Sequence, residues 1–417
     1  MAAAFSLVFL AFLLLMLGLK FWLGARQIRH VAQHADVVPA QFAASVSLAA
    51  HQKAARYTVA RQRLALFETA FSAVVLLALT FGGGLQAIAG LLAAFTGPGL
   101  PYQIAIVAAV VLLTTLLNLP FEWYRTFHVE QKFEFNRMTA PLFALDLGKG
   151  ILLAIVIGLP LLALVLWLME VAGALWWLYA WVAWVAWYAL LNVLAPTVIA
   201  PLFNKFEPLQ DSALVARVQS LLERTGFASR GVFVMDGSRR SSHGNAYFAG
   251  LGRSKRVVFF DTLLQRLLPQ EIEAVLAHEL GHFKLRHVLQ RIAAVVAASL
   301  ALLALLGWLA GEAWFYLGLG VGPAPGNNSG LALILFVLIL PVFSFIAAPM
   351  ASLLSRRHEF QADRFAARQT SAQDLASALV KLYNDNAATL TPDPLHSSFY
   401  DSHPPAAVRI ERLLAAA

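Results

Sequence analysis

Cysteine is absent from the 417 residues, so disulfides and thiolate-ligated metals are excluded. Charge is scarce as well: Asp, Glu, Lys and Arg together make up 13%, well below the share in an ordinary soluble chain. With 59% hydrophobic residues and a mean hydropathy of +0.69, that scarcity rules out a plain soluble enzyme, a disordered tail protein and a fibre. The chain is filled instead by apolar runs of about 20 residues, the length of a helix that crosses a bilayer. Seven are readable, at 3–23, 64–84, 102–119, 149–169, 174–200, 291–316 and 331–354. No Lys or Arg precedes the first, and its apolar run exceeds the core of a signal peptide, so it is read as a span.

Positive charge is missing from alternate connections. Residues 85–101, 170–173 and 317–330 hold no Lys or Arg. The other connections are basic: Arg26 to Arg63 in the first, Arg125, Lys132 and Arg137 in the second, many in 201–290, and Arg356 to Arg412 at the end. Because Lys and Arg stay cytoplasmic, the N-terminus is expected outside and the C-terminus inside, in a bacterial inner membrane. All 11 histidines then fall on the cytoplasmic side. The net charge of +8 follows from this topology, with no nucleic-acid partner required.

Among those histidines, His278-Glu279-Leu280-Gly281-His282 forms an H-E-x-x-H. The preceding Pro269-Gln270-Glu271 reads as a helix start, with Pro and an acid in the first turn and an apolar face beyond. Residues four apart share one helix face, so both imidazoles can reach one ion. Glu279 sits beside them, placed to act on a water rather than as a ligand. A catalytic zinc takes three protein ligands, and without Cys the third is His, Asp or Glu. Glu359 is the candidate, with Asp363 one turn later to accept from the far nitrogen of a liganding His. His358 is the rival, displaced by about 100° from Glu359 and with no carboxylate one turn on. His282 lies nine residues before Arg291, roughly 14 Å along a continuous helix, and Glu359 five residues past span 7. Two spans thus deliver the ligands to one depth, near the cytoplasmic boundary.

The residue types define a chemistry. Zinc polarises a scissile carbonyl, and Glu279 takes a proton from water and passes it to the leaving amine. Donors to the oxyanion are sought in His396 to Pro405 and at Arg409, although a Ser/His/Pro cluster is more often an ordinary loop. Gly231 to Met235 and Arg256 to Phe260 read as strands, with Ser242 to Phe248 before the second. Their edge could pair with an extended peptide, or they could form a simple hairpin.

The chain resembles the type I CAAX prenyl endopeptidases, integral-membrane zinc proteases of the a-factor-converting type. The resemblance is carried by His51 to Tyr57, Pro120-Phe121 through Phe135-Asn136, Ser242 to Phe248, His278 to His282, Glu359 to Asp363 and Ser402-His403-Pro404. The usage of Ala and Leu and the short loops suggest a bacterial homologue. The resemblance implies a mainly α, polytopic fold with seven membrane helices enclosing a chamber, plus a small α+β, gluzincin-like cytoplasmic part. It implies one Zn²⁺ on His278, His282 and Glu359, Glu279 as base and Asp363 behind the ligands. It makes Asn245 and Ala246 the substrate-holding edge and His403 and Arg409 stabilisers of the transition state.

Four regions are expected: helices 1–5 in 1–200, the HExxH segment in 201–290, helices 6 and 7 in 291–354, and a C-terminal segment with the third ligand in 355–417. None of the cytoplasmic pieces reaches the size of a typical separate domain, so they are expected to assemble together against the membrane. The implied reaction removes three residues after a prenylated cysteine. The substrate is a peptide or protein, prenylated or not, presented at the bilayer. A general quality-control zinc protease is the alternative, followed by an inactive metal-binding or transport protein.

Overall fold

The computed structural model describes residues 1–229, 231–249, 256–322 and 327–415. In chain order the first part holds α1 (Ala2–Gln33), α2 (Leu48–Leu79), α3 (Gly84–Thr96), α4 (Leu100–Glu130), α5 (Ala140–Val171) and α6 (Gly173–Phe203). Next come β1 (Phe206–Pro208), α7 (Ser212–Arg224), β2 (Val232–Met235), β3 (Ala246–Ala249), β4 (Arg256–Phe260) and α8 (Pro269–Lys284). The chain ends with α9 (His287–Leu309), α10 (Ser329–Gln369), α11 (Ala372–Asp385), α12 (Pro394–Tyr400) and α13 (Ala406–Ala415). Among the described residues seven helices, α1, α2, α4, α5, α6, α9 and α10, have the length and composition to cross a membrane.

The helices do not end where the apolar runs end. Polar caps set their limits, and hydropathy does not register caps. Ser47 accepts from the Ala50 N–H, so α2 starts at Leu48 rather than 64. Thr139 accepts from the Leu142 N–H, so α5 starts at Ala140 rather than 149. At the other end α2 stops at Leu79, short of 84, where Gly83 turns the chain at φ +76°. Helix α9 stops at Leu309, short of 316. Part of the segment 85–101, expected as a loop, is the apolar helix α3. The stretch from His282 to Arg291 is not one helix. It breaks at Leu285–Arg286, where Arg286 adopts φ +60°, so the 14 Å spacing along a continuous helix does not apply.

Helices α5 and α6 carry only 6% and 0% buried residues in their most apolar windows, against 44% in α10. Helices with so little packed surface leave their sides to lipid or to open space. One space of about 470 Å³ lies between α1, α2, α4 and α10, with Lys20 and Glu68 on its wall. A second, of about 560 Å³, lies between α4 and α5 and shares Thr114 and Asn118 with the first. The packed part of the membrane region is elsewhere, around Phe9, Leu13, Val110, Phe315 and Leu335.

The cytoplasmic-type segments assemble around one core. Val218, Leu221, Phe259, Leu276 and Leu280 pack with Ala366, Leu375 and Leu379. The α1–α2 connection joins them through Phe42 and Val46, which pack against Ala376, Ala406 and Ile410. Asp393 fixes the C-terminal part to α1: it caps α12 and takes Arg26 at 2.9 Å. The sheet has the order β1-β2-β4-β3. Strands β2 and β4 are parallel, with Val232 opposite Val257, and β3 runs antiparallel to β4, with Ala246 opposite Phe259. The two strand-like runs are therefore neighbours, and β3 forms one edge with β1 at the other.

Candidate metal centre

Helix α8 is fixed before its histidines are reached. Pro269 opens it, where a missing N–H costs nothing. The Leu268 N–H donates to Glu271 Oε2 at 2.7 Å, and Ser377 and Lys381 on α11 also donate to Glu271, each at 2.7 Å. Burial alone would raise this carboxyl, but those donors hold it below the ordinary carboxylate range. Gly281, between the two histidines, allows α10 to approach: a Cβ there would meet the Ala362 backbone at 3.0 Å. The small residue in the motif thus sets the separation of the two ligand-bearing helices.

That approach brings three side chains together. His278 Nε2 lies 3.3 Å from His282 Nε2, and each lies 3.4 Å from a Glu359 carboxylate oxygen. A tetrahedral ion at about 2.05 Å from each donor would hold them about 3.3 Å apart. Glu359 is buried, and its Oε2 has no hydrogen-bond partner. Burial alone would lower His278, yet the carboxylates of Asp363 and Glu359 lift it to about 9. The field at this point therefore favours positive charge. Two imidazoles, one carboxylate and an unpartnered buried oxygen fit a divalent ion of the zinc type.

Behind the donors the two histidines are held differently. His278 Nδ1 meets Asp363 Oδ1 at 2.8 Å. Asp363 is held in turn by Arg409, through Nε at 2.9 Å and Nη2 at 2.6 Å. Arg409 is 4% exposed, and its Nη1 lies 3.6 Å from Glu359. His282 Nδ1 instead meets His287 Nδ1 at 3.1 Å, and His287 Nε2 meets Gln361 Oε1 at 2.7 Å. The rival ligand His358 is turned aside, stacked on His287 at 4.0 Å. Neither His287 nor Gln361 stands out in the sequence. The one available signal was a histidine at the head of an otherwise apolar span.

Glu279 opens onto a cavity of about 240 Å³ beside the three donors. Burial pushes its carboxyl up from the ordinary range, against the pull of His278 and His282. Gly244, Asn245 and Ala246 line one side of the cavity, and Leu375, Leu379 and Leu382 of α11 line another. His403 stands at the rim, with Nε2 at 3.5 Å from Glu359 and Nδ1 at 3.0 Å from Ser402 Oγ. Burial lowers its pKa. In the antiparallel ladder the Asn245 carbonyl accepts from the Phe260 N–H, so the Ala246 amide faces the free edge. There it is covered by Asn245 Oδ1 at 2.8 Å.

The segment before this edge is tied to the membrane helices. His243 stacks on Phe135 at 4.5 Å, and its Nδ1 meets Asn386 Oδ1 at 3.1 Å. Its Nε2 lies 3.5 Å from Glu130, which also accepts from the Tyr57 hydroxyl. The motifs around Tyr57, Phe135 and His243, far apart in the chain, are thus one contact.

Seven membrane-length helices and a three-donor centre with Glu279 beside a strand edge define a class, the membrane-embedded metalloprotease. Comparison with known proteins narrows it. Residues 27–205 match the CAAX prenyl protease N-terminal model, described as five membrane helices, and residues 208–417 match peptidase family M48. The chain is 35% identical over 316 residues to CAAX prenyl protease 1 homolog of Arabidopsis thaliana, covering 75% of this chain and 73% of that protein. To the human homolog it is 33% identical, covering 81% and 80%. The crystal structure of S. mikatae Ste24p matches with a TM-score of 0.92 and 30% identity, over 98% of this chain and 99% of that one. The chain belongs to the M48 family of membrane metallopeptidases and is a metalloendopeptidase.

Proposed function

We propose that the protein is a zinc-dependent CAAX-type endopeptidase, removing the C-terminal tripeptide that follows a prenylated cysteine. The observation that carries this is one cavity whose wall holds Glu279, Asn245 and Ala246 together with His278, a member of the three-donor group. The names of the relatives supply the substrate class.

A substrate in extended form adds to β3 and replaces Asn245 Oδ1 at the Ala246 amide. Its leaving side is received by the leucines of α11. His278, His282 and Glu359 would hold the zinc, which when bound supplies Lewis-acid polarisation of the carbonyl and acidification of a water. Glu279 takes the proton of the attacking water and returns it to the leaving amine, and its raised pKa suits both duties. His403 Nε2, at the rim, donates to the oxyanion. Arg409 has two of its three nitrogens bound to Asp363, so its contribution to the transition state runs mainly through that carboxylate. A site facing the cytoplasm is the reading that the basic loops support.

The test is cleavage of a farnesylated CAAX peptide by the purified protein, with products mapped by mass. The blank is Glu279→Ala, and an unprenylated twin peptide is run beside it. Loss of three residues from the farnesylated peptide alone, only with Glu279 intact, is the expected result. Equal cleavage of both peptides would replace prenyl specificity with general peptidase activity.

A further inference from the structure

We propose that a groove on the outer face of α2 and α4 is a binding site for an anionic phospholipid. The groove is about 630 Å³ and lies between the ends of these helices nearest the protease segments. Its walls are fixed. Val129 and Phe133 are 4% and 6% exposed and belong to one cluster with Tyr57 and Phe135. Its floor is apolar: the rings of Phe67 and Phe121 lie 5.8 Å apart. Phe67 is nonetheless 64% exposed and Tyr124 46% exposed, as expected where lipid replaces water.

The other end of the groove is basic. Arg63 stands one turn before Phe67 on α2. His128 follows Tyr124 by one turn on α4, stacked on it at 4.6 Å, and Lys132 follows four residues later. No carboxylate lines the groove, and among the described residues none of the three has an ion-pair partner. Lys132 lies over the Phe133 ring at 6.0 Å, which leaves its charge without an anion, whereas the neighbouring cations are engaged more closely. Arg125 is paired with Glu68 and Glu122, Lys53 with Glu134, and Arg61 lies over the Tyr57 ring.

An apolar floor that becomes a cationic rim along the helix axis repeats the polarity of a phospholipid. With cations and no anion on the rim, a phosphate-bearing head group of net negative charge fits. A zwitterionic choline head would bring a second cation against Arg63 and Lys132 with no carboxylate to offset the repulsion. Basic pockets between membrane helices select anionic lipid in this way.

The test uses the whole protein in detergent, presented with equal amounts of phosphatidylglycerol and phosphatidylcholine and read by native mass spectrometry. The expected result is preferential retention of phosphatidylglycerol by about thirtyfold, the effect of two permanently charged residues, Arg63 and Lys132, at the surface. The double variant Arg63→Gln, Lys132→Gln should reduce that preference to below about twofold. Elution volume and bound zinc report whether it is folded. If it is not, the single variants, each losing part of the preference, take its place. Equal retention of the two lipids, or an unchanged preference in folded variants, would overturn the proposal. Displacement by glycerol phosphate would reassign the site to a soluble phosphate, and displacement by a farnesylated peptide would reassign it to substrate.

Discussion

The two histidines of the motif sit one turn apart on one helix, yet they are supported by opposite means. His278 is backed by charge: Asp363 faces its ring and Arg409 grips Asp363 with two nitrogens. His282 is backed by a neutral relay through His287 to Gln361. If both rings present Nε2 to an ion, both carry a proton on Nδ1. His278 then donates to a carboxylate and His282 to an imidazole, whose own Nε2–H goes on to the Gln361 carbonyl oxygen. A carboxylate raises the basicity of its histidine more than an imidazole does. The pair is therefore unequal: His278 is the stronger donor, and His282 completes the geometry.

Breaking the charged arm has the largest expected effect. Asp363→Asn keeps the shape and an acceptor for His278 but removes the negative charge, and it leaves Arg409 buried without its partner. Zinc affinity should fall about 100-fold, the upper end for a residue of this kind. Competition with a chelator of known affinity measures it directly. An affinity within a few-fold of the parent would show that the Asp363 charge does not support His278.

The neutral arm should matter less. His287→Phe keeps a ring against His358 and loses both hydrogen bonds, and zinc affinity should fall about tenfold. His287→Asn, which can still accept from His282 Nδ1, should recover part of the loss. If the two variants behave alike, His287 acts by filling space and the relay has no role. If His287→Phe costs more than Asp363→Asn, the proposed inequality is reversed.

The sequence and the structure divide along the same line. His278 and His282 were legible because spacing on a helix places donors on one face, and Glu359 because a carboxylate without a Cys rival stands just past span 7. Asp363 was legible because it lies one turn from Glu359. The seven spans were legible because the bilayer imposes a length. His287 and Gln361 were not, since their meeting depends on how α9 leaves α8. That exit is set by a backbone turn at Arg286 that no residue pattern announces. Helix α3 was missed for a related reason. A short apolar helix without charged ends reads as the loop between two spans. Strands β2 and β4 were legible as strand-like sequence, whereas β3 was read only as the segment before β4, and which backbone groups it leaves free depends on its pairing with β4.

Both arms depend on the spacing of α8 and α10, and Gly281 sets it. Gly281→Ala would place a methyl 3.0 Å from the Ala362 backbone. The helices must then part by a few tenths of an ångström, at a cost of about 1–3 kcal/mol of stability. Since both histidines move relative to Glu359, zinc affinity should fall several-fold without distinguishing the arms. A variant as stable as the parent would mean that α10 can yield at Ala362.

The smallest effect lies farthest from the ion, where α8 begins. Glu271 is held below the ordinary carboxylate range by Lys381, Ser377 and the Leu268 N–H, although burial opposes them. A carboxyl whose folded value is depressed adds stability that is fully present above its unfolded value, about 4.3 for glutamate. That stability is lost as the pH falls through the lower folded value. Glu271→Gln keeps an acceptor and a similar shape, so at neutral pH it should cost about 1 kcal/mol. The gap in melting temperature between parent and variant should then close as the pH is lowered below about 4.3. A gap that stays constant across that range would mean that Glu271 holds α8 to α11 by shape and hydrogen bonding alone. The anchoring of the motif helix would then be neutral, as it is behind His282, and charge would be confined to the arm behind His278.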